Sequence, residues 1–151
     1  MTVVSGSDRR ARLAAALAAT GFAGLAVFQA ALAAGAPWGH AAWGGENADL
    51  SAAQQGASAV AAVVYVAAAL IVLCRAGVIW AARSGAAIFR WGTWFFAAAM
   101  ALGALPNFAS QSRWENFILG PLALVLAALC IVVGRSAATH EELGRPHAAA
   151  R

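Results

Sequence analysis

Four runs of apolar residues, at positions 13–35, 57–74, 91–105 and 117–134, alternate along the chain with stretches rich in polar residues, glycine and proline. The first run is free of charge over more than the roughly 20 residues that a hydrocarbon core requires, which predicts a membrane-spanning helix. The third is short as bounded and reaches spanning length when it begins near Ala86, with Arg90 extending its long side chain to the interface. Gly35-Ala36-Pro37 stops the first helix, because proline lacks an amide donor and clashes with the preceding turn. Pro106 is expected to end the third after Leu105, and Pro121 to sit in the first turn of the fourth. The pattern predicts an all-α membrane protein, an antiparallel up-down-up-down four-helix transmembrane bundle over residues 13–134. Residues 1–12 form a cytoplasmic segment before it, and residues 135–151 a cytoplasmic tail that reads as disordered.

Charge sets the orientation. Arg9, Arg10 and Arg12 precede the first span, Arg75, Arg83 and Arg90 lie between the second and third, and Arg135, Arg145 and Arg151 follow the fourth. The connection at 36–56 carries only Glu46 and Asp49, and that at 106–116 only Arg113 and Glu115. By the positive-inside rule both termini are cytoplasmic, in a bacterial cytoplasmic membrane. Trp38, Trp43 and Trp114 flank spans on the outer side and Trp80 and Trp91 on the inner, as an aromatic belt does. The first segment also matches a secretory signal, with Arg residues, an apolar run and Ala31-Leu32-Ala33 as a small-residue cleavage site. Its run is longer than the usual h-region of about 7–15 residues, which favours a retained span; the mature N-terminus decides.

Composition agrees with this solvent. At 62% apolar and 11% charged residues, with mean hydropathy +0.72, the chain lies outside the roughly 45–50% apolar and 25% charged usage of soluble domains. All ten basic residues are Arg, and alanine fills the spans where leucine and isoleucine are usual, a bias assigned to a GC-rich bacterial genome. A net charge of +4 in a soluble protein suggests nucleic acid. Here the Arg residues border hydrophobic segments instead of clustering with exposed aromatics, so no nucleic-acid partner is expected. Small residues suit close helix packing in lipid: Gly21 and Gly24 on the first helix, Ala57 and Ala61 on the second, Ala99 and Gly103 on the third.

The outer loops carry a resemblance. Gly35-Ala36-Pro37-Trp38-Gly39 followed by Ala42-Trp43-Gly44-Gly45, and later Asn107-Phe108-Ala109-Ser110-Gln111-Ser112-Arg113-Trp114-Glu115 with Gly120-Pro121, resemble a group of small four-span integral membrane proteins common in actinobacteria. Members of that group often carry a basic residue shortly before the second span, where this chain has Gln54 and Gln55. The resemblance implies architecture and a bacterial source, and no particular activity.

The chemistry is sparse. No Asp or Glu lies inside any apolar run, which counts against a proton-coupled multidrug transporter of the small four-span kind. Cys74 and Cys130 form no Cys-x-x-Cys and read as packing residues rather than a redox pair. His40 lies outside whereas His140 and His147 lie inside, so the three cannot share a metal; neither metal nor cofactor is expected. Gln29, Tyr65, Ser58 and Asn107 fall within reach of a common outer half of the bundle. They either hydrogen-bond across helices or form the floor of a pocket opening outward. Arg113, the one basic residue outside, either pairs with Glu115, Glu46 or Asp49 or grips a phosphate or carboxylate beside Ser110, Ser112 and Trp114. The candidate ligand-binding residues are therefore Arg113, Ser110, Ser112, Trp114, Glu115, His40, Asn107, Gln29 and Tyr65. The leading reading is a non-enzymatic membrane protein that binds a lipid or a partner helix, in a homo-oligomer or with another membrane protein. The alternatives are a small-solute transporter or channel subunit, and an interfacial enzyme using His40 with Glu46 or Glu115 on a lipid head group.

Overall fold

The computed structural model describes residues 6–143; His147, Arg145, Arg151 and the rest of the tail beyond Leu143 lie outside the described residues. Among the described residues there is no strand. The chain forms α1 (Gly6–Ala33), α2 (Ala52–Arg75), α3 (Ala87–Ala109) and α4 (Gly120–Leu143). All four are long and apolar enough to cross a membrane. Short 3-10 turns at Gly39–Ala41 and Trp43–Gly45 join α1 to α2, another at Ala81–Arg83 joins α2 to α3, and a π-helical turn at Glu115–Leu119 leads into α4.

Helix ends follow local chemistry, and two of them differ from expectation. α1 has 28 residues, about 42 Å at the usual rise, so it outlasts the apolar run and carries Arg9, Arg10 and Arg12 on its first turns. α2 opens with a capping box: the Ser51 hydroxyl accepts from the Gln54 amide N–H at 3.4 Å, and the Ser51 N–H donates to Gln54 Oε1 at 3.0 Å. Gln54 thus has a structural task in this chain, and Gln55 donates to the Leu50 carbonyl at 3.3 Å. α3 begins after Ala86, as expected, but Pro106 does not end it; the helix continues to Ala109. A proline this late removes only one donor from the ladder, and the end is closed by the Ser110 N–H on the Asn107 carbonyl at 3.3 Å. The fourth helix begins before Phe117, through the π-turn. Gly120 N–H reaches back to the Glu115 carbonyl, and Pro121, having no N–H, cannot restore the ordinary step at that point.

α1 packs against α2 and α4, and α3 against α4 and, less extensively, α2, so the helices close into a ring. Phe22 of α1 is fully buried at its centre, with ring centroids 6.2 Å from Tyr65 on α2 and 5.9 Å from Phe96 on α3. Ala18, Val72, Met100, Leu126 and Cys130 pack around it. Large apolar side chains such as Leu17, Val63, Leu102 and Phe117 point outward, and no spanning stretch is more than 39% buried within the bundle. That distribution suits hydrocarbon as the surrounding solvent. At the Arg-rich end Arg75 is buried and donates to the Ser84 carbonyl at 3.0 Å, while the Arg90 guanidinium lies 5.6 Å from the centre of the Trp91 ring. Of the small residues singled out above, a Cβ added at Gly21 would collide with Leu126 whereas one at Gly24 would meet nothing within 4 Å.

Candidate functional site

The α1–α2 connection folds back over the helices. Trp43, Gly44 and Gly45 all have positive φ, at 55°, 86° and 78°. Glycine adopts such a backbone freely and tryptophan does so at a cost of about 1–2 kcal/mol. Side chains from elsewhere hold the turn there. The Trp43 indole N–H donates to Ser58 Oγ at 3.2 Å, and the Ser112 hydroxyl donates to the His40 carbonyl at 2.7 Å. Gly44 N–H points at both carboxylate oxygens of Glu115, at 3.3 and 3.2 Å, and the Ser110 hydroxyl donates to the same carboxylate. Glu115 itself is only 8% exposed.

The freedom of Glu115 to do this has a local origin. Ser112-Arg113-Trp114-Glu115 has the spacing of a capping box, in which the glutamate reaches back to the serine N–H. In this chain Ser110 Oγ accepts that N–H instead, at 3.0 Å, while Ser112 Oγ accepts the Glu115 N–H at 3.4 Å. The helix start is satisfied without the carboxylate, which is left to cross to Gly44.

Beneath the turn is a cavity of about 490 Å³. Trp43 and Gly44 roof it; Leu25 and Phe28 of α1, Met100, Gly103 and Pro106 of α3, and Leu119 and Ala123 near the start of α4 form its apolar walls. Gln29, Tyr65, Asn107, Ser110 and Glu115 bring the polar groups. Gln29 Oε1 is sealed from the surface and has no hydrogen-bond partner. A second, almost wholly apolar groove of about 460 Å³ adjoins it, lined by Pro37, Trp38, His40, Trp114 and Ile118 and sharing Phe28 and Leu119 with the cavity.

No family model, curated protein or solved structure matches this chain. The site therefore has to be read from its own chemistry.

The cavity brings together Gln29, Tyr65, Asn107, Ser110 and Glu115, five of the nine residues singled out above. Ser112 fastens the roof, and His40 and Trp114 line the adjoining groove. Arg113 lies apart. It is exposed and, among the described residues, makes no ion pair with Glu115, Glu46 or Asp49. Of the two readings of Arg113, the pairing with Glu115 is not seen, because Glu115 is buried and used by Gly44 and Ser110. Nor does any hydrogen bond join Gln29 to Tyr65; the two face one cavity without bridging it. His40 Nδ1 lies 3.0 Å from the Gly45 carbonyl, and since a carbonyl only accepts, that nitrogen carries a proton. No group of three His, Cys, Asp or Glu side chains is placed to hold a metal among the described residues. Sequence reasoning overlooked the roof. Trp43-Gly44-Gly45 read as an interfacial stretch, and its signal was the pair of glycines that permit a tight reversal beside an aromatic anchor.

Proposed function

We propose that the chain is an integral protein of a bacterial cytoplasmic membrane whose outer end binds a membrane-derived ligand, and that it acts by binding and not by catalysis. Gln29, which lines a cavity walled by all four helices and whose amide oxygen has no hydrogen-bond partner, carries this reading. Buried polar atoms are ordinarily hydrogen-bonded, and a turn of the Gln29 amide brings its unmet oxygen to the open volume, where a donor from outside the chain satisfies it. The same reading makes the bundle antiparallel and up-down-up-down, with both termini cytoplasmic. The Arg-rich ends of α1, α2 and α4 then lie inside, and Arg113 is the sole basic residue outside. It also retains α1, because cleavage after Ala33 would remove Phe22 from the centre of the core.

Catalysis is disfavoured because the carboxylate of Glu115 is already committed to Gly44 and Ser110. A solute path is disfavoured because Phe22, Phe96 and Leu126 fill the centre of the ring. The loop motifs that resemble small actinobacterial four-span proteins are the ones that build the roof and rim, so the resemblance predicts the same cavity in those proteins. Native mass spectrometry of gently extracted protein tests the reading. Gly103 lines the cavity and an added Cβ there meets no atom within 4 Å, so Gly103→Phe fills the space from a tolerant position. A bound lipid-sized mass on the wild type, lost from Gly103→Phe, is expected; no bound mass, or equal retention by both, refutes it.

A further inference from the structure

The polar groups left free in the cavity define what it takes. Glu115 and Ser110 are occupied with each other and with Gly44. Gln29, Asn107 and Tyr65 remain, and no hydrogen bond to the side-chain polar atoms of any of the three occurs among the described residues. All three are neutral. Two amides and a phenol offer both donors and acceptors, whichever way the amides are turned. No Arg lines the cavity although the chain has ten basic residues. An anionic head group would therefore lie in a desolvated space beside the Glu115 carboxylate with no cation to compensate it.

A hydroxyl matches these groups, since it both donates to an amide oxygen and accepts from an amide N–H or the phenol. The hydrocarbon part has a place as well. Phe28 and Leu119 belong to both the cavity and the apolar groove, so a chain leaving the cavity past them enters a surface of Trp38, Trp114 and Ile118 on the lipid-facing side. Resting on the binding role proposed above, we infer that the cavity binds the free hydroxyl end of an uncharged lipid, of the diacylglycerol or long-chain alcohol class, with its hydrocarbon in the adjoining groove.

Purified protein in detergent is titrated with 1,2-dioctanoylglycerol, 1-dodecanol, trioctanoylglycerol and dioctanoyl phosphatidic acid, and binding is read from tryptophan emission and from native mass spectrometry. The glycerol diester or the alcohol should bind saturably, and which of them does identifies the class. The triester, which lacks a hydroxyl, and the phosphatidic acid should bind at least tenfold more weakly. Gln29→Leu should weaken the hydroxyl lipid about tenfold and Tyr65→Phe less, while Arg113→Ala, outside the cavity, should leave the affinity unchanged. Phosphatidic acid binding as tightly as the hydroxyl lipids, or binding lost on Arg113→Ala, overturns the head-group inference. If such binding is nevertheless abolished by Gly103→Phe, the cavity itself still stands as the site. If no lipid binds and no mass is retained, the cavity holds only water and both readings fall.

Discussion

Glu115→Ala removes the side chain that ties the Gly44 N–H of the roof turn to the rim of the cavity. Its carboxylate receives the Gly44 N–H and the Ser110 hydroxyl, contacts that join positions 71 residues apart and 5 residues apart. Hydrogen bonds to a charged group contribute roughly 1.5–3 kcal/mol each, and a donor left unmet in a buried place costs about 1–3 kcal/mol. Gly44 is exposed and takes water readily once released, and Ser110 is half-buried and can turn. The loss is therefore expected near the lower end, about 2 kcal/mol in all. Glu115→Gln keeps one acceptor oxygen for Gly44 and an amide for Ser110, and should lose about half as much. Equilibrium unfolding in mixed micelles gives the free energy, and hydrogen exchange of the Gly44 amide reports the bond itself. Ser110→Ala combined with Glu115→Gln should cost less than the sum of the two, because they share one network. Exposed Glu46 supplies the control. If Glu115→Ala changes stability no more than Glu46→Ala, or leaves Gly44 equally protected, the carboxylate does not hold the roof.

Gly45→Ala should destabilise the protein by more than about 1 kcal/mol, since the new Cβ would stand 2.9 Å from Ser112 Cβ at φ 78°. Gly44→Ala, with a similar φ and no atom within 4 Å of the added Cβ, should cost less, and equal losses in the same unfolding assay would remove the packing part of the argument. Gly21→Val should cost about 1–3 kcal/mol by overpacking, because a Cβ there lies 2.7 Å from Leu126 Cδ2 in the core; Gly24→Val, facing open space, is the comparison, and indifference to both would refute the contact. A cytoplasm-active reporter fused after Arg151 should function, and a reporter active only outside should function between Glu46 and Ser51. The opposite pair of outcomes rejects the proposed orientation.

The helices were legible because each depends on a one-dimensional property, the length of an apolar run against the thickness of a bilayer. Their ends were less so. Pro106 reads as a stop, yet proline in the last turn removes a single rung, and three further residues stay helical. The serine and glutamine of the α2 capping box are present as Ser51-x-x-Gln54, a spacing that also occurs at Ser112-x-x-Glu115, where the box does not form. For the site, helical rise alone was enough to bring Gln29, Tyr65 and Asn107 to one level. It could not tell whether they touch, because that depends on the rotation of each helix and on the space between them. Space is the part that no residue encodes. The cavity exists because Gly103 and Ala123 leave volume that Phe22 and Phe96 fill one layer further from the roof.

Glu115 shows the same limit more sharply. From sequence its nearest partner is Arg113, two positions away, and its nearest task is the start of a helix. Both were displaced by one serine. Ser110 takes the Ser112 N–H that a capping-box glutamate would have accepted, and so the carboxylate is released to bond across the loops. The roof it holds is strained at Trp43 and permitted by Gly44 and Gly45, at a cost of about 1–2 kcal/mol for the tryptophan alone. Trp43 to Ser58, Gly44 to Glu115 and Ser112 to His40 offset that strain with three polar ties. A roof fastened by a few hydrogen bonds can open when they exchange with water, whereas the core around Phe22 cannot. Access to the cavity is thus easiest between Trp43 and the Asn107–Glu115 rim, and the core below remains closed.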